Sequence, residues 1–214
     1  MKIIIVGGDG FCGWPTALGL GKNNDILIID NLSRRKIDKD YNINSLINIS
    51  SISKRISTAR KIGFKIKFIK CDVAKQPKKF SQIVKKFKPK TIIQFGEQRA
   101  APFSMIGDKE RSYTVDNNIS GTHNICSTIA KINKKIHLIH LGTMGVYGYS
   151  KEMGKIPEGY LDIVIKQTKK IKKILYPSNP GSIYHMTKCM DQIVFQYYAK
   201  NWGIKITDLH QGIV

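Results

Sequence analysis

The chain has 214 residues, 42% hydrophobic and 24% charged, with a formal net charge of +21. That length suits one domain with a sizeable core, and no apolar run reaches the roughly 18 residues that a membrane span needs. Lysine far outnumbers arginine and is dispersed, as in KKFSQIVKKFKPK, with no basic stripe of interleaved aromatics. The charge therefore reads as a solvated surface that favours anionic small molecules, and nucleic-acid binding is not expected. The opening MKIIIVGG is too short for a signal peptide. Cys12, Cys71, Cys126 and Cys189 are widely spaced with no C-x-x-C. Neither a zinc site nor a disulfide framework follows, no metal is expected, and a reducing cytoplasm fits.

In chain order, KIIIV predicts a buried strand, residues 11–22 a helix and DILIID a second buried strand, which together make a βαβ unit. Further apolar runs predict strands at FKIKFI (64–69), KTIIQFG (90–96), KKIHLIHLG (134–142) and IKITDL (204–209), with helix-length segments before most of them. Strands alternating with helices predict an α/β fold of Rossmann type, a doubly wound parallel sheet within one domain over 1–214. Two stretches break the alternation: polar residues 31–63, and residues 149–182 with Pro157, Pro177 and Pro180. Both read as inserted functional loops.

The stretch GGDGFCG follows the first strand and opens the first helix, with Gly7, Gly10 and Gly13 three apart. Glycine allows the tight turn and close backbone approach, and a helix N-terminus offers N–H groups to a pyrophosphate. Asp30 ends the second strand 20 residues beyond Gly10, where a carboxylate accepts the adenosine ribose hydroxyls and repels a 2′-phosphate. NAD is thus expected over NADP, although Arg34 or Arg35 just past that strand would suit a 2′-phosphate. Asn31 and Arg35 complete the candidates on this side. Asp72, in KCDVA, reads equally as a partner of the adenine amino group or as a turn cap. In SIYHMTK, Tyr184 and Lys188 stand at i and i+4 on one helix face, where an ammonium would lower the phenol's pKa and make Tyr184 a base. His123, His137 and His140 lie in core segments and read as packed residues. Trp14 and Trp202 read as packing residues too.

With these motifs the sequence resembles the extended short-chain dehydrogenase/reductase family of sugar-nucleotide epimerases and dehydratases over its whole length. The resemblance implies that Tyr184 takes the proton of a sugar hydroxyl, that Thr143 of LGTMGVYG shares that hydrogen bond, and that Lys188 also holds the nicotinamide ribose. DNNISGT matches the segment in which Asn117 supports the cofactor. Within the family, GGDGFCGW, DNLSRR, FGEQRAAPFSM, LGTMG, YHMTK and TDLHQGIV are most similar to the UDP-sulfoquinovose synthases. That likeness implies UDP-glucose and sulfite as substrates, contacts from Arg99 and Gln211, His185 at the reacting end of the sugar, and a homodimer. Met144 and Gly145 stand where ordinary dehydratases carry their acid and base. Val146 stands where the synthases carry a glutamate, while VYG ends the matching stretch of plain 4-epimerases. The resemblance also implies a C-terminal substrate domain that is missing after Val214.

Overall fold

Five consecutive residues, Lys2–Val6, form strand β1, and all but the first are buried because both faces of the strand are covered. The computed structural model describes residues 1–149 and 155–212. After β1 come α1 (Gly13–Gly21), β2 (Asp25–Asp30), α2 (Ser33–Asp40), α3 (Ile52–Lys61), β3 (Ile66–Lys70) and α4 (Pro77–Phe87). Then follow β4 (Thr91–Gln94), α5 (Asp108–Ile132), β5 (His137–Thr143), β6 (Leu161–Val164), β7 (Ile171–Ile174), α6 (Ile183–Trp202) and β8 (Ile206–Gln211). Six strands pair in the order β3-β2-β1-β4-β5-β8, every pair parallel.

Side chains alternate across this sheet and divide the core in two. Ile3, Ile5, Ile26 and Ile28 pack against Ala17 of α1 and Ile52, Ile56 and Ala59 of α3. Ile4, Val6, Leu27 and Ile29 meet Phe80, Val84, Ile125, Ile129, Phe195 and Tyr198 of α4, α5 and α6 on the other face. The sheet is doubly wound, as the strand and helix alternation predicts. Between β1 and β4 the winding reverses, and in such sheets the crevice beyond the strands' carboxyl ends at the reversal is the ligand position.

The two irregular stretches turn out more ordered than loops. Within 31–63, Ser51 caps α3 by accepting from the Lys54 N–H at 3.3 Å, and Ile52, Ile56 and Ala59 recur at helical spacing to fill the core. The polar residues between them hid an ordinary crossover helix. Within 149–182, β6 and β7 form an antiparallel hairpin outside the main sheet, pairing Leu161 with Ile174 and Val164 with Ile171. Residues 150–154 of that stretch lie outside the described part.

Candidate active site

At the end of β1 the chain turns through Gly7 with φ +77°, and a Cβ there would sit 2.5 Å from the Gly96 nitrogen beyond β4. A Cβ on Gly13 would lie 2.3 Å from the Gly7 carbonyl oxygen, whereas one on Gly10 would be 3.2 Å from it. The first and third glycines are therefore imposed by close backbone approach, which brings the start of α1 against the end of β1. No side chain caps α1 at Cys12.

Asp30 ends β2 with Oδ2 accepting from the Asp9 N–H at 3.0 Å and Oδ1 from the Leu32 N–H at 2.7 Å. Burial raises its pKa against those two hydrogen bonds. Asn31 accepts from the Ser33 N–H and donates from Nδ2 to Asp72 Oδ2 at 3.0 Å. The other Asp72 oxygen accepts from the Lys75 N–H at 2.9 Å, the cap of a turn. Arg35 departs from expectation: it turns inward to the glycine loop, with Nε on Asp9 Oδ2 at 2.8 Å. Asn117 donates to the Gly96 carbonyl at 3.5 Å and to Asn118 Oδ1 at 3.0 Å. Its neighbour Asn118 is the fully buried one, holding the Gln98 backbone and Thr187 of α6.

Ser182 starts α6 by accepting from the His185 N–H at 3.2 Å. Tyr184, 9% exposed, donates its backbone N–H to Ser104 Oγ at 3.1 Å. Lys188 follows one turn on, 5.9 Å from the Tyr184 ring centre. Thr143 closes β5 and pairs in register with Gln211 of β8, so the sheet brings those two candidates side by side. Thr143 Oγ1 accepts from the Gly145 N–H at 3.1 Å. His185 packs its ring on Gly145, where a Cβ would come within 2.3 Å of Nε2, and it hydrogen-bonds Ser182 and Tyr149 at 3.0 and 3.1 Å. Burial pushes the His185 pKa down, which favours the neutral ring. Arg99 is exposed on the loop after β4. Val146 is fully buried beneath the turn, with its carbonyl accepting from the Asn179 N–H at 2.8 Å.

The Tyr184 phenol reverses the sequence expectation. Burial raises its pKa by more than Lys188 lowers it, and Glu97 and Asp191 add to the rise. Lys188 has close partners of its own. Its ammonium lies 2.5 Å from Glu97 Oε2 and 3.1 Å from His140 Nε2, and it donates to the Leu141 carbonyl at 2.8 Å.

His140 is not simply packed: it joins a buried ionic network that sequence reasoning missed. Nε2 meets Glu97 Oε1 at 2.9 Å and Nδ1 meets Asp208 Oδ1 at 2.7 Å, while Asp208 Oδ2 pairs with His210 at 2.8 Å. Glu97, His140 and Asp191 bring their ligating atoms within 4.8 Å of one another, and the ammonium of Lys188 is the cation among them. Burial would raise the Glu97 carboxyl, yet Lys188 and His140 hold it at about 2. Burial and Lys188 push His140 down, but Glu97 and Asp208 lift it to about 9. Burial, aided by Glu97, lifts Asp191 to about 8. Hydrogen bonds from His140 and His210 outweigh burial at Asp208 and keep it below the usual carboxylate range.

These shifts have a sign for stability. A group raised in the folded state stabilises fully below its unfolded pKa and loses that contribution as pH rises through its folded one. For His140 the window runs from the unfolded value of about 6.5 to about 9, and the loss of the Asp191 contribution is complete by about 8. Urea denaturation should therefore give a stability lower at pH 9 than at pH 6.5 by on the order of 3 kcal/mol. An unchanged midpoint over that range would contradict the network. On the acid side the Glu97 contribution is lost as pH falls toward about 2.

A profile of the NAD dependent epimerase/dehydratase family matches residues 3–210. The chain belongs to that family. It is 40% identical to the chloroplastic UDP-sulfoquinovose synthase of Spinacia oleracea over all of this chain and 44% of the relative. It is 36% identical to the UDP-sulfoquinovose synthase of Sulfolobus acidocaldarius over all of this chain and 54% of that protein. The chain thus spans about half the length of these relatives. The UDP-glucose 4-epimerase of Brucella ovis, solved in complex with NAD, superposes with a TM-score of 0.70 at 20% identity, covering 98% of this chain and 51% of the epimerase, a likeness of fold. NAD is the cofactor of the family, and its crevice here fits that group: the glycines leave room that a Cβ would fill, and Asp30 stands at the end of β2. No helix among the described residues is long and apolar enough to cross a membrane.

Proposed function

We propose that this chain is the cofactor-binding and catalytic part of an enzyme that modifies a UDP-sugar by first oxidising C4, and that its reaction replaces the 6-hydroxyl of UDP-glucose, lost as water once the C5 proton is removed, with sulfite. The observation that carries the reading is identity of 40% and 36% to two UDP-sulfoquinovose synthases across the whole chain. NAD, which the glycine loop and Asp30 would hold, would supply a reversible hydride acceptor for C4. Tyr184 exchanges the proton of the C4 hydroxyl, and Thr143 hydrogen-bonds the same oxygen. The phenol's pKa is raised by burial in the free protein, and to ionise it draws on the positive charge that Lys188, paired with Glu97, keeps beside it. His185, held neutral by burial, stands as the group to move the C5 proton. Arg99 and Gln211 contact the substrate, and a strongly basic protein suits sulfite, an anionic nucleophile. A homodimer in a reducing cytoplasm completes the reading, in keeping with four unpaired cysteines.

A second reading, 4-epimerisation, is favoured by Val146. A carboxylate at this position would relay a proton, whereas Val146 is apolar and fully buried. A version of the protein extended to the length of its relatives should convert UDP-glucose, in the presence of NAD and sulfite, to a sulfonated nucleotide sugar seen by mass spectrometry. UDP-galactose without a sulfonate would reject the synthase reading in favour of the epimerase, and unchanged UDP-glucose would reject both.

A further inference from the structure

The glycine-rich loop of this chain carries an acid in its middle. Asp9 lies between Gly8 and Gly10 and is 5% exposed. A carboxylate so placed would oppose an anionic cofactor unless it were neutralised. Two arginines do this from the α2–α3 stretch. Arg35 meets Oδ2 through Nε at 2.8 Å and also donates from its terminal nitrogen to the Asp9 carbonyl at 3.1 Å. Arg55 donates to Oδ1, and its guanidinium stacks 4.6 Å from the centre of the Trp14 ring. The Asp9 N–H in turn donates to Asp30 at 3.0 Å, so the clamp stands directly beside the carboxylate at the end of β2.

An arginine just beyond the second strand of such a fold is the residue type that accommodates an adenosine 2′-phosphate. Of the two candidates in this chain, Arg34 pairs with Asp38 at 3.6 Å and Arg35 is committed to the loop. We propose that Asp9 is a specificity-determining residue: by holding Arg35 and Arg55 as internal counter-ions, it leaves neither guanidinium free beside Asp30, and so disfavours a cofactor bearing a 2′-phosphate. With Asp9 ionised, the charges of Asp9, Asp30, Arg35 and Arg55 cancel. Without it, one positive charge remains beside the ribose, on a fork that matches phosphate geometry. The long crossover between β2 and β3 then has a purpose in cofactor choice, since it supplies both arginines.

The test is binding of NAD and NADP to the purified protein by isothermal titration calorimetry, which involves no sugar and so stands apart from the proposed reaction. Asp9→Asn should raise NADP affinity relative to NAD by at least about tenfold, equivalent to about 1.4 kcal/mol. Adding Arg35→Gln to that variant should return the ratio to its original value. An unchanged ratio in Asp9→Asn that still binds NAD overturns the proposal. Should Asp9→Asn fail to fold, Asp9→Ser decides by the same ratio: a rise in NADP affinity relative to NAD supports the clamp, and an unchanged ratio overturns it.

Discussion

Replacing Tyr184 with phenylalanine should lower turnover of a UDP-sugar by about 10²–10⁴-fold, the range lost with a general acid–base group, while NAD binding stays nearly intact. In barrier height that is about 3–5 kcal/mol. The substitution isolates the hydroxyl because everything that positions the ring is kept. The backbone N–H still reaches Ser104, and the ring still packs 5.0 Å from that of His185. A variant that retained full turnover would remove Tyr184 from the chemistry and, with it, the reason for placing Lys188 one turn away.

The other large effect is on folding. Glu97→Gln keeps the shape of the side chain but leaves the Lys188 ammonium and the His140 ring without their shared anion. All three side chains are at most 5% exposed. Breaking one partner of a buried ion pair costs about 3–5 kcal/mol, far more than a surface pair, because the stranded charge has no water to turn to. Urea denaturation of Glu97→Gln should show a loss of that order, and the double variant with Lys188→Met should recover part of it, since the stranded ammonium goes too. A loss below about 1 kcal/mol, the worth of a surface pair, would mean that Asp191, whose carboxylate oxygens are buried without hydrogen-bond partners, compensates in place of Glu97.

The fold was legible because its signals are local. Runs such as KIIIV and DILIID bury both faces of a strand, and the three glycines mark a strand-to-helix turn; the sheet repeats that pattern strand by strand. Tyr184 and Lys188 were legible for the same reason, being one helical turn apart. Glu97, His140 and Asp208 were not, because their meaning depends on register. His140 faces Gln94 on one side and Asp208 on the other only once β4, β5 and β8 are paired. The available signal was a polar residue at an inward position of two strands, His140 in HLIHLG and Asp208 in ITDLHQ. Helix α3 escaped for the opposite reason: its apolar spacing is regular, but a surrounding run of Ser, Lys and Arg disguised it. The direction of the Tyr184 shift was out of reach, since sequence supplies the neighbour on the helix and not the carboxylates that compete for it.

The register of β8 also has a consequence for how the protein is made. His140 and Asp208 are 68 residues apart in the chain, and the strand that carries Asp208 lies at the edge of the sheet. As the polypeptide leaves the ribosome, the amino-terminal strands and their crossover helices are available for assembly before residues 206–211 exist. Until they arrive, His140 lacks the anion on its Nδ1 side and Thr143 lacks its neighbour Gln211. Completion of this end of the sheet and neutralisation of its charges are therefore one event, and it waits on residues 206–211.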